Sequence, residues 1–68
     1  MRPVSGRVLT KALERHGWSL LLVQGSHYIY DRCGGNARMA VPVESDKPLK
    51  IELLIYLMRC GGISEYDL

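Results

Sequence analysis

The side chains that could carry chemistry near neutral pH are few: two histidines, two cysteines and seven carboxylates in 68 residues. His27 stands apart by its setting, "VQGSHYIY", directly after Gly25-Ser26 and at the head of an apolar run. An imidazole has a reference pKa of about 6.5, so it can take or give a proton near neutrality. The glycine two residues before it lacks a Cβ and lets a ligand or another backbone approach closely. An isolated histidine beside a turn is also an ordinary surface residue, so the residue type alone leaves both roles open.

Other chemistries find less support. Asp31, Glu44, Asp46, Glu52, Glu65 and Asp67 show no constellation of the kind that two-metal phosphodiester chemistry needs. Neither His16 nor Cys60 has a partner at a diagnostic interval. Cys33 and Cys60 lack the second pair of a tetrahedral zinc site, and at most one disulfide could join them. No metal and no cofactor is expected.

Positioning these residues falls to a single small domain spanning residues 1–68, which can bury only about 60% of the surface of its unfolded chain. With 47% apolar and 24% charged residues it is too hydrophobic for a disordered polar segment. The longest apolar run, "ELLIYLM", is too short to span a bilayer, and no leader-like segment opens the chain, which points to a cytoplasmic protein. The charge of +2 is uneven: residues 1–50 carry +4 and residues 51–68 carry −2. A basic body can collect a polyanion, although such asymmetry is also common in proteins that bind none.

Ser5 reads as the N-cap of a first helix with Leu9, Ala12, Leu13 and His16 at helical spacing, ended by Gly17. Arg7, Lys11 and Arg15 form a basic row on another face, which composition alone would leave as solvated surface. Trp18 to Val23 and His27 to Asp31 read as strands joined at Gln24-Gly25-Ser26, with "RCGGN" connecting to a third strand, Arg38 to Val43. Pro42 makes that last strand an edge or ends its ladder. Period-two alternation separates His27, Ile29 and Asp31 from Tyr28 and Tyr30, and the larger apolar area of the tyrosines should turn them towards the helices. "ESDKPLK" leads into a second helix, Leu49 to Cys60 with Pro48 in its first turn, capped by Gly61-Gly62. Its apolar residues cover more than one stripe, so a partner chain is expected on one side. The tail "ISEYDL" adds a final turn capped by Ser64. Helix, three strands and helix make a two-layer α+β domain of order α-β-β-β-α.

That order of signals, with Ser5, Leu13, Gly17-Trp18, Gly25-Ser26-His27, Tyr30, Val41-Pro42, Lys47, Leu49-Lys50, Leu54, Leu57 and Gly62-Ile63-Ser64, resembles the HicA family over nearly the whole chain. These are toxins of type II toxin–antitoxin systems that look like a compact double-stranded-RNA-binding domain and cleave mRNA. The resemblance implies that His27 is the catalytic residue and that a HicB-like antitoxin is the protein partner. It further implies mRNA or other single-stranded RNA as the nucleic-acid partner, held by Gly25, Ser26, Lys11, Arg32, Lys47 and Lys50. The chain departs from the family pattern at Glu44, where a histidine is usual in "VPxH", and at Glu52, Leu53 and Ile55, where "GTLR" is usual.

RNA can be cut without a metal because its 2′-hydroxyl lies beside the phosphorus. The protein must move that proton, protonate or stabilise the leaving oxygen and neutralise the phosphoryl oxygens. General acid–base catalysis by one residue is typically worth about 10²- to 10⁴-fold, enough for a slow ribonuclease. A non-catalytic RNA-binding module, or an interaction protein that has lost the nuclease, would keep the same fold.

Overall fold

A computed structural model describes residues 2–32 and 37–68. The order of elements is α1 (Gly6–Arg15), β1 (Trp18–Gln24), β2 (His27–Arg32), β3 (Arg38–Pro42), α2 (Ile51–Gly61) and a 3-10 turn, η1 (Glu65–Asp67). It is the α-β-β-β-α arrangement that the patterning predicts. The expected connection "RCGGN" falls largely on residues 33–36, outside the described residues, as does Cys33; Cys60 is exposed on α2.

The strands form one antiparallel sheet in the order β1-β2-β3, so His27 heads the central strand. Alternation then divides the faces. Trp18, Tyr30, Met39 and Val41 turn towards the helices and are buried, while His27 and Ala40 are exposed. Leu9, Ala12 and Leu13 of α1 and Leu54, Leu57 and Met58 of α2 complete the core. β1 breaks the simple pattern, because its register shifts between Leu20, opposite Tyr30, and Leu22, opposite Ile29. Leu21 is the extra residue of a β-bulge.

Two close approaches lock the layers together. A Cβ on Gly6 would stand 2.0 Å from the carbonyl oxygen of Pro42, so only glycine lets the start of α1 lie on the end of β3. At the other end, a Cβ on Gly61 would stand 2.6 Å from Leu13 Cδ2, and the indole Nε1 of Trp18 donates to the Gly61 carbonyl at 3.1 Å.

Three local expectations need correction. Pro48 is not in the first turn of α2: it forms a β-bridge with Ser5, the Leu49 N–H donates to the Val4 carbonyl at 2.8 Å, and the helix starts only at Ile51. His16 does not join the core stripe. It is the C-cap residue of α1, half-exposed, with its Nε2 2.9 Å from Asp67 Oδ1. The basic row of α1 is also partly occupied, since Arg15 donates to the Asp67 carbonyl and Arg7 lies 4.0 Å from Asp46. The tail therefore folds back on α1, held by a capping box in which Asp67 accepts from the Ser64 N–H and hydroxyl. That N–H first, and His16 second, hold the Asp67 carboxyl below the ordinary carboxylate range. No helix among the described residues is long and apolar enough to cross a membrane.

Candidate active site

The site is built from a hairpin. Gln24 and His27 pair across a two-residue turn in which Gly25 has φ +59°, the conformation a type II′ turn requires at its first central position. This is why a glycine precedes Ser26. Among the described residues nothing lies within 4 Å of the position its Cβ would occupy, so the glycine serves the turn and not a close approach by another described segment. The turn is pinned to the exit of β3, where the Val43 N–H donates to the Ser26 carbonyl at 2.7 Å.

His27 is exposed, as expected from the burial of Tyr30 on the opposite face. Its neighbours across the strands are Gln24 on β1 and Pro42 on β3. Directly opposed residues of an antiparallel pair bring their Cβ atoms within about 5.5 Å, so Pro42 flanks the imidazole. Pro42 also forms one wall of a cleft of about 300 Å³ between the end of β3 and the start of α2, lined further by Glu44, Lys47, Leu49, Lys50 and Leu53. His27 does not line this cleft; it stands on the other side of Pro42. Lys50 is the N-cap residue of α2 and makes no side-chain cap, which leaves the first N–H groups of the helix open towards anions.

Of the cations singled out by sequence, Lys47 and Lys50 share this cleft; Arg32 and Lys11 do not. Arg32 ends β2, about 17 Å along the strand from His27 at the usual rise per residue. Its guanidinium lies 5.1 Å from the centre of the Trp18 ring and donates to the Gly61 carbonyl at 3.4 Å, a role in packing. Lys11 is exposed on α1, in the layer behind the sheet face that carries His27.

Sequence reasoning missed Pro42, Leu49 and Leu53 as site residues; the β2–β3 register places Pro42 beside His27, and the approach of the start of α2 to the end of β3 brings Leu49 and Leu53 to the cleft. Tyr30 proves to be structural. Its hydroxyl donates to Glu14 Oε2 at 2.7 Å, and burial, with help from that carboxylate, pushes its pKa up to about 12. Among the described residues no group of three or more His, Cys, Asp or Glu side chains comes together at metal-ligand distance.

No protein-family model matches the chain. No curated protein matches it either. The likeness to HicA toxins thus rests on the residues quoted for it above.

Proposed function

We propose that the chain is a metal-independent endoribonuclease, the HicA-like toxin of a type II toxin–antitoxin pair, acting in the cytoplasm on mRNA. The observation that supports this best is an exposed imidazole at the head of the central strand, one residue's width from a cleft with two lysines. In the proposed reaction His27 takes the proton of a 2′-hydroxyl as its oxygen attacks the adjacent phosphorus, or gives a proton to the 5′-oxygen as the P–O bond breaks. Lys47 and Lys50 neutralise the phosphate charge from the side of α2. A HicB-like antitoxin would find apolar surface on Ile51, Ile55 and Tyr56, the large hydrophobic residues of α2 that the domain leaves exposed.

A non-catalytic RNA-binding role is favoured by one feature, that the residues facing His27 across the strands are Gln24 and Pro42, neither of which can accompany it in proton transfer. One experiment separates the two. Wild type and His27→Ala are each expressed in growing bacteria, and the purified proteins are given an unstructured RNA in a chelator. Growth arrest and cleavage that both vanish in the variant are the expected result. RNA bound equally by both proteins and cut by neither would replace the enzyme with the binding module.

A further inference from the structure

We propose that the cleft between β3 and α2 is a nucleobase subsite that seats the base beside the scissile phosphate and selects guanine through Glu44. The inference rests on the ribonuclease reading and goes beyond it, because it names what the cleft binds and which residue discriminates.

Three features point to a nucleotide rather than to phosphate alone. The first is size: about 300 Å³ lies at the small end of ligand pockets, room for a base and its sugar but for little more. The second is the character of the walls. Pro42, Leu49 and Leu53 provide apolar surface against which the flat face of a base can pack, and a site for a bare anion has no use for it.

The third is the carboxylate. Glu44 faces the same space as Lys47 and Lys50, and among the described residues none of the three makes a side-chain hydrogen bond or ion pair. A carboxylate beside a phosphate site is a repulsive element, unless the ligand also carries a hydrogen-bond donor. The Glu44 carboxylate is an acceptor only, with two oxygens side by side, so it suits the adjacent N1–H and N2 amine of guanine, which meet both oxygens at once, better than the single amine of adenine or cytosine or the lone N3–H of uracil. The arrangement is held by backbone geometry. Glu44 and Lys47 close a turn through the Lys47 N–H and the Glu44 carbonyl, 3.0 Å apart, with Ser45 at φ +51°. That places acceptor and cation at the same rim, as a base and its phosphate would need.

Register connects the subsite to the chemistry. Pro42 is both a wall of the cleft and the cross-strand partner of His27, and the Ser26–Val43 hydrogen bond fixes the hairpin against that wall. A base on the α2 side of Pro42 directs its own backbone towards the imidazole on the other side.

The test is a titration of the isotopically labelled full chain with the 3′-monophosphates of adenosine, cytidine, guanosine and uridine, followed by the amide signals of Leu49, Lys50 and Leu53. The guanosine compound should shift these signals at concentrations roughly fivefold or more below the other three. Glu44→Gln, a change at an exposed position whose folding the same spectra report, should erase that difference, and Lys50→Ala should weaken all four compounds alike. Equal binding of the four, a preference that survives Glu44→Gln, or the full pattern of shifts with inorganic phosphate alone would each overturn the subsite. Cleavage is scored separately on RNAs differing in one base. Selective binding without cleavage by wild type removes the nuclease and keeps the subsite, whereas cleavage without selective binding does the reverse.

Discussion

The two edges of the sheet are finished in opposite ways. β3 is short, begins with Arg38, ends with Pro42, buries Met39 and Val41, and has Gly6 pressed onto its last carbonyl. β1 carries no charge and no proline from Trp18 to Gln24, and Leu20, Leu21, Leu22 and Val23 are each 42–48% exposed. An edge strand normally presents lysine, proline or a covering segment to prevent a neighbour from pairing with it. β3 therefore belongs to the domain's own closure and carries the site at its end, while β1 is left open to contact.

The strongest way to break this contrast is Gly6→Ala. Its methyl would meet a backbone oxygen at 2.0 Å, which α1 can escape only by lifting off the closed edge. A loss of about 3 kcal/mol or more is expected, a large part of what so small a domain can hold, and urea denaturation would read it. Next comes the strand between the edges. Tyr30, with its folded pKa raised to about 12, contributes stability that is complete below the unfolded value near 10 and is lost as pH climbs through 12. Wild type should lose roughly 2–3 kcal/mol over that window relative to Tyr30→Phe, measured as the pH dependence of the urea midpoint.

A matched pair of truncations sharpens the contrast directly. Val41→Ala, at a fully buried site on β3, should cost about 2 kcal/mol, and Leu22→Ala on β1 about 0.5 kcal/mol, in the same denaturation assay. The smallest effect on stability, within about 0.5 kcal/mol, belongs to Leu22→Lys, which should instead lower concentration-dependent association in sedimentation velocity. Equal costs for the two truncations would show the edges to be energetically alike.

What could be read from sequence was local. The 3.6-residue stripe of Leu9, Ala12 and Leu13, the turn at Gln24-Gly25-Ser26, which the structure narrows to Gly25-Ser26, and the cap at Gly61-Gly62, where Gly62 takes the αL position, each follow from neighbours a few positions apart. The exposure of His27 was legible for the same reason, since burying Tyr30 decides the face of everything on β2. Longer-range placement was not. Pro48 looks like a helix opener, yet a bridge to Ser5, 43 positions earlier, takes it out of the helix. Arg32 and Lys47 look equivalent as cations, but strand direction sends one to the Trp18 end of the sheet and a turn brings the other to the cleft. Which strand end meets which helix end depends on register across the sheet, and no spacing along the chain encodes it.

The bulge at Leu21 gives the open edge its one irregularity. Leu20 pairs with Tyr30 and Leu22 with Ile29, so taking Leu21 out would leave every other cross-strand partner where it is and restore an unbroken ladder. The kink that a bulge imposes limits contact along this edge to short pairings and opposes continuous stacking of strand upon strand. Losing a single residue that pairs with nothing would leave an untroubled monomer fold with a flat, uncharged template along its side, and fibres would be the natural product.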